Sequence, residues 1–144
     1  MSYTVKKTVT KIFTFDSAHH LPKYYGKCAE LHGHTYKLEV TVSGEPTVLY
    51  KKKDSYDGII CDFGDLKDIV NEHVIERLDH QNLNTVMTDN PTAENIASLI
   101  FEILWLIFPG KLQKIKLWET PDSFAEVTLN SCISGTGSGG AKCS

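Results

Sequence analysis

The sequence lacks a run of apolar residues long enough to cross a membrane, and it lacks a strong excess of either charge. Its 15 basic and 18 acidic side chains leave a net charge of −3 at pH 7, so no general attraction to nucleic acids or anionic membranes is expected. The first residues do not have the apolar stretch of a signal peptide. We therefore expect a cytoplasmic protein with neither a membrane nor a nucleic acid as its partner.

The sequence also lacks a C-x-x-C pair, so its four cysteines are expected to be free thiols in a reducing compartment. Cys61 lies in an apolar run and is predicted to be a small buried side chain. Cys132 and Cys143 lie near or in the C-terminal tail. Only Cys28 stands beside residues that are candidate metal ligands.

A chain of 144 residues, of which 41% are hydrophobic and 23% charged, is typical of one globular domain with a real core. No internal repeat divides it. Residues 135–140 are rich in glycine and serine, a composition typical of flexible chain. We predict a single domain over residues 1–132, followed by a disordered tail over residues 133–144.

A thiol and two imidazoles lie within seven residues, from Cys28 to His34. Residues 35–42 behind them alternate between polar and apolar side chains, which predicts a half-buried β-strand. In a strand, His32 and His34 point to the same face, the apolar one. A single buried histidine usually only hydrogen-bonds to a neighbour. Two in this register favour a metal site that a third ligand completes.

A second segment that contains histidines, residues 15–22, offers candidates for the third ligand. It follows a predicted strand over residues 4–15 and is ended by Pro22. Either His19 or His20 can reach the other two histidines, but a strand directs only one of them to the site. The pattern alone does not choose between them.

The remaining pattern predicts an α+β protein, with an antiparallel four-stranded sheet and two helices packed on one face. Apolar residues at helical spacing predict a helix over residues 63–77, capped by Asp62, with His73 in the core or at its boundary. A second helix is predicted between Asn90 and Pro109. Because such a sheet has open edges, oligomerisation through those edges is expected. The predicted strands span residues 4–15, 33–43, 115–119 and 124–129.

Three groups of charged residues are further candidates for a functional role. Asp79 and His80 are adjacent, and a carboxylate can orient an imidazole and raise its basicity, although an isolated pair of this kind usually has no such role. Glu119 is in phase with the apolar residues of its strand, where a carboxylate needs a partner, so it is a candidate for ligand recognition. The lysines at 51–53 form either a solvated loop or a patch for an anionic substrate tail.

Taken together, these residues resemble the 6-pyruvoyl-tetrahydropterin synthase / 6-carboxy-tetrahydropterin synthase family. The resemblance covers about residues 5–130, with the motifs in the family's order. Any one motif alone is weak evidence, whereas six in sequence are highly specific. The motifs are Phe15-x-x-Ala18-His19-x-Leu21, Cys28-x-x-x-His32-Gly33-His34, Asp62-Phe63-Gly64-Asp65-Leu66, Leu78-Asp79-His80-x-Asn82-Leu83, Pro91-Thr92-x-Glu94-Asn95 and Trp118-Glu119-Thr120.

The resemblance implies the tunnelling fold, in which three subunits close a β-barrel and two trimers usually stack into a hexamer. It also implies a zinc ion held by His19, His32 and His34, so the family's motif selects His19 over His20. The expected assembly is a homohexamer, and the expected metal is Zn²⁺.

The resemblance further implies roles in catalysis and substrate binding. Cys28 is implied to be the catalytic thiol, and Asp79 and His80 are implied to come from a neighbouring subunit. The residues implied to hold the pterin ring are Glu119, as its anchor, with Thr92 and Glu94.

The substrate class implied is a dihydropterin that carries a trihydroxypropyl triphosphate side chain. The three-residue spacer after Cys28 resembles the 6-carboxy-tetrahydropterin synthases of the queuosine and deazapurine pathway, which release triphosphate and acetaldehyde. One alternative is a 6-pyruvoyl-tetrahydropterin synthase. Another, suggested by Glu30, is cleavage of the side chain to 6-hydroxymethyl-dihydropterin for folate synthesis. A different class is a non-catalytic, zinc-stabilised pterin-binding module, but three ligands without a fourth favour an open, catalytic site.

Overall fold

The computed structural model describes residues 5–44 and 58–130. The predicted tail over residues 133–144, the lysines at 51–53 and the two C-terminal cysteines lie outside these residues. The strands are β1 (Thr8–His19), β2 (His32–Ser43), β3 (Gln81–Asn82), β4 (Leu112–Thr120) and β5 (Ser123–Thr128). They form one sheet in the order β3-β1-β2-β4-β5.

Alternating burial defines two faces of this sheet. Phe13 and Phe15 in β1, and Tyr36 and Leu38 in β2, are buried, whereas the side chains between them point to the other side. We call the buried side the inner face and the opposite side the outer face. Strands β1, β2, β4 and β5 pair antiparallel in that order. The antiparallel pairing and the hairpin of the last two strands agree with the sequence prediction.

The fifth strand, β3, has only two residues and was not predicted. It pairs parallel with β1, at Ser17 and Ala18. The rest of that edge of β1, from Thr8 to Asp16, has no strand partner within the described part of the chain. The short strand therefore fixes the chain after the first helix to the end of β1 that carries His19.

The helices pack on the inner face. Leu66 and Val70 of the first helix join Ile100 and Leu104 of the last one and the buried strand residues in a single core. The predicted N-cap Asp62 accepts a hydrogen bond from the Asp65 backbone N–H at 3.0 Å. The helices are α1 (Phe63–Val70), a π-helical turn (Asn71–Ile75), α2 (Glu76–Leu78), α3 (Leu83–Val86) and α4 (Ala93–Ile107), and a 3₁₀ turn spans Lys27–Ala29.

The prediction that His73 lies in the core or at its boundary is wrong. Its side chain is 45% exposed and lies 3.9 Å from Glu72. The cause is the π-helical turn, which adds a residue to one turn and rotates the residues within it. Buried side chains therefore recur at every fourth position, at Leu66, Val70, Val74 and Leu78, and His73 turns towards water.

Cys61 is buried, 5% exposed, as predicted. Burial is the main cause that raises the pKa of its thiol to about 11, and the charges of Asp65 and Asp62 act in the same direction. The thiol is therefore protonated at neutral pH, and its role is packing. Among the described residues, no helix is both long enough and apolar enough to span a membrane.

Candidate metal centre

Strand pairing brings three imidazoles together at one end of the inner face. His19 lies opposite His32 across the β1–β2 pair, and His34 lies opposite Ser17, two residues further along. The ring centroids are 4.6 Å apart for His19 and His32, 5.0 Å for His19 and His34, and 4.8 Å for His32 and His34. One nitrogen from each ring lies within 4.8 Å of the other two, so the group is compact enough to hold one metal ion.

Backbone carbonyls determine which ring nitrogen of two of these histidines carries the proton. His19 Nδ1 lies 2.7 Å from the Pro91 carbonyl oxygen, and His32 Nδ1 lies 2.7 Å from that of Glu30. A carbonyl only accepts, so each Nδ1 must donate a proton, and each Nε2 keeps a lone pair. Hydrogen bonds of this kind commonly orient histidines that ligate metals.

The two Nε2 atoms of His19 and His32 are 3.0 Å apart. Two lone pairs at this distance repel each other unless a cation lies between or beside them. The Nε2 atom of His34 is buried and has no hydrogen-bond partner in the described structure, because Glu119 Oε1, at 3.7 Å, is beyond hydrogen-bond range. Three nitrogen donors without other partners fit a divalent metal ion such as zinc.

Burial is the main cause that lowers the pKa of His34, and the nearby His19 and His32 rings lower it further. The charge of Glu119 opposes this shift without reversing it. A lowered pKa keeps the ring neutral at pH 7, which is the state that binds metals. Tyr36 packs beneath the cluster, fully buried, and its hydroxyl oxygen lies 3.3 Å from His19 Nδ1.

His20 does not belong to the cluster. Its backbone forms two hydrogen bonds with the side chain of Asn84. The His20 N–H donates to Asn84 Oδ1 at 2.9 Å, and Asn84 Nδ2 donates to the His20 carbonyl at 2.9 Å. The structure thus brings His19, and not His20, to His32 and His34. The sequence gives no signal for Asn84, because its contact with His20 joins residues 64 positions apart.

Cys28 lies in the 3₁₀ turn that leads into β2 and is half-buried. Its carbonyl accepts from the Leu21 N–H at 2.8 Å, which closes the loop between β1 and β2. Cys28 is not part of the histidine cluster. Glu30 follows it with an exposed side chain, and its carbonyl orients His32.

Glu119 lies near the end of β4 and points to the inner face, half-buried beside His34. Thr92, the N-cap of α4, accepts from the Asn95 N–H at 3.2 Å. Its neighbour Pro91 supplies the carbonyl that binds His19, so the start of α4 is tied to the cluster. Glu94, in contrast, is exposed in the first turn of α4.

The structure does not bring Asp79 and His80 to the histidine cluster of the same chain. They lie at the edge of β1, where their ionisable atoms and those of Asp16 form a separate group. Asp16 is exposed on the outer face, whereas His19 is buried on the inner face. The side chain of His80 is 78% exposed.

The model of the 6-pyruvoyl tetrahydropterin synthase family matches residues 8–130. The chain is 39% identical over 139 residues to a 6-carboxy-5,6,7,8-tetrahydropterin synthase of Haemophilus influenzae, an alignment that covers 82% of this chain and 96% of that protein. It is 45% identical over 108 residues to a dihydroneopterin monophosphate aldolase of Pyrococcus furiosus, with 74% and 83% covered.

Among solved structures, a 6-pyruvoyl tetrahydropterin synthase of Caenorhabditis elegans superposes on the chain with a TM-score of 0.74 at 26% identity. The superposition covers 90% of this chain and 100% of that chain. The likeness confirms the tunnelling fold that the sequence predicts for the subunit.

Proposed function

The chain belongs to the 6-pyruvoyl tetrahydropterin synthase family, and on that basis we propose that it is a zinc-dependent lyase that converts 7,8-dihydroneopterin triphosphate to 6-carboxy-5,6,7,8-tetrahydropterin. The reaction consumes one water molecule, and triphosphate and acetaldehyde are the other products. The observation that carries this proposal is the convergence of three imidazole nitrogens, one from each histidine, beside an inward carboxylate. The relative of Haemophilus influenzae, which is named for this activity, supports the choice of product.

His19, His32 and His34 are the residues that would hold the zinc ion. Bound there, zinc would polarise hydroxyl groups of the substrate side chain and stabilise negative charge that develops on them. Structural zinc sites usually have four protein ligands, but the described residues supply only three to this cluster. An open coordination position favours a catalytic site over a non-catalytic zinc-stabilised module.

Glu119 is proposed to bind the pterin ring. Its two oxygens can accept two parallel N–H groups, one from the 2-amino group and one from the ring. Because Glu119 lies beside His34, a pterin ring bound to it would have its side chain near the proposed metal ligands. Thr92 and Glu94 are proposed to help from the start of α4, and Thr92 is the better placed because Pro91 touches His19.

Cys28 is proposed to exchange a proton with the substrate side chain as the catalytic thiol. Asp79 and His80 are proposed to serve the site of a neighbouring subunit. Their distance from the histidine cluster of their own chain supports this arrangement, because they contact the outward-facing Asp16. A shared site of this kind requires at least two chains, and the resemblance to the family implies a trimer or, in the family's usual form, a hexamer.

The test is a product analysis. The purified, zinc-loaded protein is incubated with 7,8-dihydroneopterin triphosphate, and the pterin products are identified by mass spectrometry. The proposal expects 6-carboxy-tetrahydropterin and acetaldehyde in equal amounts. A 6-pyruvoyl product, or no conversion at all by the zinc-loaded protein, contradicts it.

Side-chain cleavage is a second candidate, favoured by the relative of Pyrococcus furiosus named an aldolase. Glu30 is the carboxylate that would act, since it is exposed two residues before His32. The same assay with dihydroneopterin monophosphate, in wild type and Glu30→Ala, distinguishes the two. Formation of 6-hydroxymethyl-dihydropterin that disappears in Glu30→Ala would replace the first proposal with this one.

A further inference from the structure

Two hydrogen bonds join Asp79 and His80 to the backbone of Asp16 in β1. The Asp16 N–H donates to Asp79 Oδ1 at 2.9 Å, and the His80 N–H donates to the Asp16 carbonyl at 2.6 Å. His80 has a φ of 56°, in the left-handed region that residues other than glycine seldom adopt. The two bonds to Asp16 fix this unusual backbone conformation.

The side chains at this point form a compact group on the outer face. His80 Nδ1 lies 2.9 Å from Asp79 Oδ2. Ionisable atoms of Asp16, Asp79 and His80 all lie within 4.8 Å of one another. The Thr35 hydroxyl donates to Asp16 Oδ1 at 2.5 Å and so fixes the position of that carboxylate. One imidazole therefore has two carboxylates close to it.

These contacts leave His80 Nε2 as the ring nitrogen that is available to a further partner. His80 lines a cavity of about 520 Å³, which the small paired residues Ala18 and Gly33 also line. The charged and titratable groups around His80 are Asp79 on its own segment and Asp16 on β1, while His34 of β2 also lines the cavity. On the outer face, the charged groups around His80 are thus mainly carboxylates.

The charges act on His80 in one direction. The hydrogen bond to Asp79 is the largest cause that raises the pKa of His80, and the charge of Asp79 is the second. Burial lowers the pKa by less, and the charge of Asp16 adds a smaller effect in the raising direction. The pKa of Asp79 is lowered, first by the hydrogen bond from the Asp16 backbone and then by His80. Asp79 is thus already a carboxylate in the pH range where His80 titrates, and His80 keeps its proton to a higher pH than an isolated imidazole would.

We propose that Asp16 is a positioning residue for the Asp79–His80 pair. The Asp16 carboxylate supplies a second negative charge, which keeps the His80 imidazole in its cationic, proton-donating form. The proposal rests on the proposed function, in which His80 transfers a proton at a neighbouring subunit's site. Neither the sequence pattern nor the resemblance to the family assigns a role to Asp16.

The first test does not depend on any reaction. The imidazole signal of His80 is followed by NMR across pH in the zinc-loaded, substrate-free protein, for wild type, Asp16→Asn and Asp68→Asn. Asparagine at position 16 keeps both backbone bonds and an acceptor for Thr35, but removes the charge. Asp68 is exposed on α1 and serves as the matched control. We expect His80 to lose its proton at lower pH in Asp16→Asn alone.

The second test uses turnover. If His80 donates a proton, the rate falls as pH rises and the imidazole loses its charge, so Asp16→Asn should move this alkaline limb to lower pH. At pH values below this limb, the turnover rate and the KM of Asp16→Asn should differ from wild type by less than about threefold. Asp16→Glu should restore the wild-type dependence of the rate on pH. Zinc content and circular dichroism check that each variant is folded.

The outcomes separate the two proposals. An unchanged titration of His80 in Asp16→Asn overturns the role of Asp16, and so does a loss of rate that is equal at every pH, which indicates a structural effect. A wild-type protein that converts no pterin refutes the proposed function, while the NMR titration still decides whether Asp16 holds the proton on His80.

Discussion

At the scale of single residues, the proton positions on the imidazoles decide what the cluster can bind. Two carbonyls, from Glu30 and Pro91, hold protons on the Nδ1 atoms of His32 and His19. The sequence pattern could predict that His32 and His34 share a face, because strand periodicity is local. It could not predict the Pro91 carbonyl, which lies 72 positions from His19 and meets it only in the folded chain.

The histidine cluster leads to a prediction on metal content. The wild-type protein should retain about one zinc ion per chain through gel filtration, measured by atomic emission. Replacing a residue that only hydrogen-bonds to a metal ligand costs up to about 100-fold in metal affinity. His32→Ala and His34→Ala remove the ligands themselves, so each should weaken zinc binding by more than that. His20→Ala is the matched control and should keep its zinc, because His20 is held through its backbone.

Competition with a chelator of known affinity gives the fold-changes. Full zinc occupancy in His32→Ala would remove the basis of the metal site. Loss of zinc in His20→Ala, with His19→Ala unaffected, would mean that the strand register at the cluster is wrong.

The separation of Cys28 from the cluster and the inward position of Glu119 predict two different defects. Cys28→Ala should keep zinc and pterin affinity but lose turnover by about 100-fold or more, the effect of a missing acid–base group. Glu119→Gln should weaken pterin binding first, because its amide presents a donor where the pterin presents another donor. Calorimetric titration with dihydroneopterin and steady-state kinetics separate affinity from rate. Similar losses of affinity in both variants would contradict this division of roles.

At the scale of elements, the regular spacing of apolar residues predicts the long strands and helices. It does not predict the places where a helix or the sheet departs from regular geometry. The alternation over residues 35–42 predicts β2, and the helical spacing predicts α4. The π-helical turn leaves no local signature, because the same apolar residues fit a regular helix, so the position that the sequence predicts for His73 is wrong. β3 is too short for any alternation and forms only because the chain after α2 meets β1.

The first helix provides a prediction on stability. Asp62→Ala removes the side chain that accepts from the Asp65 N–H, and should lower the free energy of unfolding by about 1 kcal/mol. Asp62→Asn keeps an acceptor and should lose less than half of that. Urea denaturation monitored by circular dichroism, at one protein concentration, measures both. Equal losses in the two variants, or a change in zinc content in either, would show that Asp62 does more than cap the helix.

At the scale of the whole molecule, the sheet has edges that favour assembly. The edge of β1 from Thr8 to Asp16 and the outer edge of β5 have no strand partner within residues 5–44 and 58–130. Large apolar side chains near these edges are exposed, with Ile12 at 56% and Phe124 at 46%. Edge-to-edge pairing between copies would satisfy the backbone groups and cover this apolar surface. The sequence could predict that edges exist, but a single chain does not determine the number of copies.

The last prediction tests whether the proposed site is shared between copies. Cys28→Ala and His80→Ala are expected to be inactive when each is pure. If one chain supplies Cys28 and its neighbour supplies His80, random exchange of subunits in an equal mixture restores both residues at about a quarter of the sites. Activity should then rise to about a quarter of the wild-type value, and light scattering should give at least a trimer. With exchange confirmed by mass spectrometry, an inactive mixture would mean that each site lies within one chain. Because Asp79 and His80 contact the outward-facing Asp16 while the histidine cluster lies on the inner face, the geometry of one chain favours the shared site.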